Sequence, residues 1–353
     1  MSLAYPKWIL AAVLLVAVTA VSAQDNSRTQ SEANEQSQKP RPLILVLDDC
    51  DPKFSGKETY EDNLSCINAE GQLAFRISGF NNCESIGSSH MIAPDSRRGW
   101  IWVLENVGHR IRKLDPEGKE LLTIKDIEAS AMAVHPETGN LWVTVTKGTI
   151  QGERTDVFDP QGHRLTTYPA SGYDIAYDPK ANAFWIAGPN LAKIDAATGK
   201  VLLAKQITTW CASSLDVYAK TGTVWVTVRR HEQVLGSANQ LLAFHNDGAP
   251  IQTIELGEGT AEHPILPFCV SVDQTDGSVW VALYRRGLRR FSSDGTPQRE
   301  LMMWTLAALA DPSTHGAWVV TSQGVVHLNW DGTTVSQVDN KSATRQAWIS
   351  AYR

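Results

Sequence analysis

Two aspartates stand out in this chain, Asp174 and Asp216. They lie in short apolar segments, eleven and nine residues before a recurring tryptophan. Equivalent positions elsewhere carry small residues such as Ala93, Ala131, Ala133 and Ser271. Two carboxylates near a common axis would suit a hard cation with water ligands, calcium or magnesium, and Glu128 is a third candidate ligand. They would also suit acid–base work, by raising one carboxyl pKa. They would equally serve as acceptors for backbone N–H groups and channel water.

Other residues suit binding. Arg229-Arg230 and Arg285-Arg286 follow equivalent tryptophan segments. Paired guanidinium forks match carboxylate, sulfate or phosphate, although as rim charges they need only water. His231 and His263 fall in two insertions, 229–240 and 257–266. Trp210 and Trp304 lie outside the recurring tryptophan position. Such a pair suits stacking on a sugar ring or anchoring a peptide, and also suits plugging a packing seam. Cys50 and Cys66 bracket 15 residues, and Cys211 and Cys269 open equivalent segments. Both pairs are candidate disulfides in an oxidising compartment, with Cys83 left over. The sequence contains no GxSxG, HExxH, phosphate-loop or EF-hand pattern.

The elements that must position these residues recur along the chain. The pattern is a turn with Gly or Asn, an apolar residue, Trp, then alternating apolar residues. It appears at 99–105, 139–145, 182–188, 222–228, 277–283 and 315–321. The aligned Trp are 102, 142, 185, 225, 280 and 318, spaced by 40, 43, 40, 55 and 38. An Asp/Gly hairpin follows each, and a short apolar strand precedes each. Four strands per period of about 40 residues is the signature of a β-propeller blade. Residues 43–49 and 64–78 read as a first blade without its inner strand, and 346–353 as an inner strand without a blade. Pairing them closes a seven-bladed ring and removes the sheet edges. Six blades with ragged ends is the alternative.

Residues 1–23 read as a secretory signal, with Lys7 before an apolar run and Val21-Ser22-Ala23 at the cleavage site. Residues 24–41 read as a polar, disordered tether, and 42–353 as the propeller. The expected protein is secreted or periplasmic, with no membrane span after cleavage. The net charge of −6 gives no field that would collect nucleic acid.

The segment GWIWVLENVGHRIRKLDPEGKEL (99–121) resembles an NHL-type repeat, through Asn106, His109-Arg110-Ile111 and Asp115-Pro116 with Gly118-Lys119. The other blades match only the Trp strand and the Asp/Gly turn. The resemblance implies the propeller fold. The wider group includes senescence-marker/gluconolactonase and streptogramin-lyase propellers, which are metal-dependent, and also pure interaction platforms. The gluconolactonase-type site needs an inner Asn that this chain lacks. The expected function is therefore a module binding a protein, peptide or glycan across its loop face. The alternative is a metal-dependent lactone hydrolase or lyase.

Overall fold

The computed structural model describes residues 44–50, 62–68, 71–80, 90–145, 153–208, 211–229, 239–257, 265–339 and 344–351. Residues 1–41, read above as a secretory signal and a tether, lie outside the described residues. Three residues before each repeat tryptophan the backbone turns left-handed: Gly99 (φ 74°), Gly139 (73°), Asn182 (47°), Gly222 (76°), Gly277 (77°) and His315 (53°). Gly and Asn tolerate that conformation best, which explains their recurrence at this position. Each turn reverses an inner strand into a tryptophan strand.

The described strands form seven four-stranded antiparallel sheets. In blade order, the inner strands are Thr344–Ala351, Ile92–Asp95, Ala131–Val134, Asp174–Asp178, Cys211–Tyr218, Pro267–Val272 and Ala307–Asp311. The second strands are Ile44–Cys50, Trp100–Glu105, Leu141–Val145, Ala183–Ala187, Thr223–Arg229, Val279–Leu283 and Gly316–Val320. Consecutive inner strands lie side by side, and Thr344–Ala351 touches both its neighbours, closing the ring. The fold is the expected seven-bladed β-propeller, and the six-bladed alternative is excluded. Closure is by register, Ile44 opposite Ala351 through Asp48 opposite Ala347. Among the described residues no helix is long and apolar enough to cross a membrane.

Burial falls from axis to rim. Second strands such as Leu141–Val145 and Ala183–Ala187 are buried throughout, because flanking blades cover both faces. Outermost strands such as Pro250–Glu255 and Thr334–Asp339 are largely exposed, with partly buried residues at every second position. The repeat tryptophans fill the seams. Trp185 packs on Leu215 and Val226 of blade 5, Trp225 on Val270 and Val281 of blade 6, and Trp280 on Ala308 and Val319 of blade 7. Trp142 stacks on Phe184 of blade 4 with ring centroids 4.3 Å apart.

The antiparallel order assigns every connection to a face. Links from an outermost strand to the next inner strand, and from a second to a third strand, emerge together on one face, the loop face. Turns between inner and second strands, and between third and outermost strands, emerge on the opposite face.

Candidate ligand-binding face

The inner strands pair with their second strands on one edge only, so their other edge leaves backbone groups facing the axis, where they need partners. Asp174 and Asp216 are both buried and supply such partners. Asp174 Oδ2 accepts the Leu215 N–H of blade 5 at 2.8 Å, and Asp216 Oδ2 accepts the Val272 N–H of blade 6 at 2.9 Å. Ser214 and Ser271 accept the Val270 and Ala310 N–H groups at 3.1 and 3.0 Å. Ser130, Ser213 and the Cys269 thiol donate to the carbonyls of Gly172, Pro267 and Ala308. The small polar residues of the inner strands thus form a side-chain ladder between blades.

Asp174 Oδ1 also lies 2.6 Å from His90 Nδ1, joining blade 4 to the start of blade 2's inner strand. Asp216 Oδ1 accepts the Val217 N–H at 2.8 Å. All four oxygens of these aspartates therefore already take part in hydrogen bonds, three of them with backbone N–H groups. That donor set suits a structural duty better than cation binding. Glu128 is partly buried, with no hydrogen bond or ion pair among the described residues.

The disulfide expectations are corrected. Cys66, Cys211 and Cys269 are free thiols. Cys66 lies opposite Leu45 in the sheet, so Cys50 sits five residues further along the strand. That is about 17 Å at the usual strand rise, beyond the reach of a disulfide. The Cys269 sulfur bonds to Ala308 O of blade 7 at 3.1 Å, on the side away from Cys211 in blade 5. Cys83 lies outside the described residues. Burial pushes the Cys66 thiol up to about 12 and the Cys211 thiol up to about 11. Iodoacetamide at pH 8 is therefore expected to leave both unmodified in the folded protein and to alkylate both in urea. Peptide mass mapping checks this, and native labelling of either would contradict the burial described here.

On the opposite face a second device recurs that sequence reasoning missed. The third-strand residue paired across from a repeat tryptophan is Lys113, Lys193, Arg290 or His327 in four blades. Each cation or imidazole lies over its tryptophan. Lys193 Nζ is 4.8 Å from the Trp185 ring, Arg290 is 5.6 Å from that of Trp280, and His327 stacks on Trp318 at 4.1 Å. Two of these heads then meet the aspartate that ends the inner strand. Lys193 is 3.3 Å from Asp178, and His327 is 2.6 Å from Asp311. Burial raises the Asp311 pKa, but hydrogen bonds from His327, Ser313 and Thr314 outweigh it and hold the carboxyl well below the usual carboxylate range. Lys113 reaches Pro160 O of the next blade, and burial pushes its ammonium down to about 8. The available sequence signal was a cation followed two residues later by Asp or Asn, as in Lys113–Asp115, Lys193–Asp195 and His327–Asn329.

Asp273, Asp276 and His315 also come together on this face, within reach of one ion. Asp273 belongs to the same recurring turn, capping the Thr275 N–H at 2.8 Å and pairing with His315 at 2.9 Å.

The loop face keeps part of the expected binding set. Trp304 is 48% exposed, at the junction of blades 6 and 7. The Arg285 guanidinium lies 5.4 Å from its ring and 4.7 Å from that of Tyr284. Tyr284 stacks on the buried ring of Phe268 at 5.4 Å. Arg285 holds a left-handed backbone, φ 57°, fixed by its N–H donating to Thr305 O at 2.7 Å. That conformation costs a side-chain-bearing residue about 1–2 kcal/mol. Arg286 follows, partly buried. Arg229 ends the second strand of blade 5 on the same face. Trp210, Arg230, His231 and His263 lie outside the described residues.

No family model matches the chain, and no curated protein resembles it. Among solved structures it is similar to hydrazine synthase of Kuenenia stuttgartiensis, with a TM-score of 0.58 and 10% identity over 87% of this chain and 97% of that one. At that identity the likeness shows the propeller fold alone, and the NHL-type resemblance gains no further support.

Proposed function

We propose that this chain is an exported binding module that captures a protein, peptide or glycan on its loop face, at the junction of blades 6 and 7. One observation carries the reading. An exposed Trp304 lies beside an exposed Arg285 in a strained turn, and neither core packing nor ion pairing among the described residues calls for that arrangement. Strained backbone held by a rigid scaffold is a mark of ligand clamps. The described ends of the segments 229–240 and 257–266, Arg229 with Asn239 and Gly257 with Ile265, also fall on this face, and insertions on a rigid scaffold are a common seat of function. The metal-dependent hydrolase or lyase reading has less support, because Asp174 and Asp216 are engaged by backbone N–H groups.

The test is a peptide and glycan array probed with the full chain, with Trp304→Ala and with Trp330→Ala. Trp330 is 51% exposed on the opposite face and serves as the control. Binders are expected to lose about tenfold or more in affinity with Trp304→Ala and to be unaffected by Trp330→Ala. The reverse pattern would sink the loop-face assignment. Calcium or magnesium is expected to leave the melting temperature unchanged. A shift that Asp174→Ala or Asp216→Ala removes would restore the metal reading.

A further inference from the structure

We propose that the platform at blades 6 and 7 recognises an acidic pyranose, a sugar ring bearing a carboxylate or sulfate. Trp304 stacks on the ring and Arg285 reads the anionic group. The inference rests on the loop-face reading above and specifies its ligand.

Three observations lead to it. The first is charge. Arg285 makes no ion pair among the described residues, whereas Arg289 and Arg290 of the same blade reach Glu300 and Asp276 at 3.0 and 3.3 Å. Arg229, which ends the second strand of blade 5, also has no ion pair among the described residues. Two guanidinium groups with no ion pair among the described residues, on one face of a chain with net charge −6, complement an anionic ligand. The second is orientation. The Arg285 guanidinium lies 4.7 Å from the Tyr284 ring and 5.4 Å from the Trp304 ring, and its N–H groups donate to no side chain or carbonyl among the described residues, which leaves them to a forked anion. Phe268 backs Tyr284, and the Arg285–Thr305 backbone bond ties the arginine to the residue after Trp304. The two recognition groups are therefore positioned before any ligand arrives. The third is shape. A peptide adding as a strand would take the open outer edge of Pro297–Met302, whereas Trp304 follows that strand on the loop face, where its exposed ring can stack on a sugar. Two cavities lie between outer strands of adjacent blades, one lined by Arg154 and Arg164, the other by Glu255 and Arg289. An exposed indole 5.4 Å from a guanidinium can stack on one sugar ring while the cation meets the acidic substituent.

Isothermal titration calorimetry of the full chain with four probes tests the assignment: oligogalacturonate, a sulfated galactan oligomer, the uncharged galactan oligomer and an oligoglutamate peptide. One or both charged saccharides are expected to bind at least about tenfold tighter than the uncharged one, and their ranking separates carboxylate from sulfate. Trp304→Ala is expected to remove saccharide binding. Arg285→Asn, which suits the left-handed turn, is expected to retain the melting temperature and erase the preference for charge. Equal affinity for charged and uncharged saccharides overturns the inference, as does Trp304-dependent binding of the peptide alone; both leave the loop-face reading standing. Binding of any probe that neither variant changes overturns both, and no binding of any saccharide overturns the inference.

Discussion

Deletion of Thr344–Ala351 is expected to abolish cooperative folding. That segment is the inner strand of blade 1 and one of the seven strands around the axis. Its loss strips the paired edge of Ile44–Cys50 and uncovers Ile44 and Val46, both buried in one cluster with Ile349. It also removes Ile349 from the cluster that packs Trp318 and Leu309 of blade 7 against blade 1. Each aliphatic side chain returned to water costs about 1.5–3 kcal/mol. Several together match the whole stability of a typical domain, about 5–15 kcal/mol. The readout is far-UV circular dichroism against temperature: the deletion should give no sigmoidal transition. Because closure is non-covalent, a synthetic peptide of residues 344–351 should restore a transition whose midpoint rises with peptide concentration. A truncated chain melting within a few degrees of the full one would show that the other six blades hold the ring without this strand.

Asp178→Ala is expected to be the most damaging single polar substitution. Asp178 is fully buried at the end of blade 4's inner strand. Its carboxylate accepts the Lys180 and Ala181 N–H groups, the Trp185 Nε1–H and the Asn246 amide. It also faces the buried Lys193 ammonium at 3.3 Å. Truncation leaves that ammonium over the Trp185 ring without its carboxylate, a loss of about 3–5 kcal/mol. The melting temperature should fall by on the order of 10 °C. Asp178→Ala with Lys193→Met removes both charges and should recover at least half of the loss. Calorimetry on the full chain decides it. A double variant no better than the single would mean that the capped turn, not the charge pair, carries the stability.

The architecture was legible because its determinants are local. A left-handed residue three positions before each tryptophan and a hairpin Asp/Gly after it are both set by short-range sterics. The ladder at the axis was not legible. Asp174 and Asp216 were visible as unusual acids, but their partners depend on the lateral offset between inner strands. Irregularities at Ala212/Ser214 and Pro267/Cys269 shift that offset. The cysteines misled for a related reason. Chain distance suggested a stapled loop, while antiparallel register placed Cys66 beside Leu45, far from Cys50. Trp304 and Arg285 were singled out separately. Their adjacency depends on the Arg285–Thr305 backbone bond, which joins residues 20 apart along the chain. The cations over the tryptophans were hidden by variable spacing, 11, 8, 10 and 9 residues after Trp102, Trp185, Trp280 and Trp318.

The shared first blade also sets a clock. Ile44 and Thr344 are 300 residues apart in the chain, yet belong to paired strands of one sheet. At a synthesis rate of about 5–20 residues per second, the earliest strand waits roughly 15–60 seconds for its partner to be made. Every nascent chain that stops before Thr344 is an open arc with two unsatisfied ends, recognisable to proteases and chaperones. The strand Thr344–Ala351 thus acts as a checkpoint, and only a chain translated past it can hide the seams of the ring.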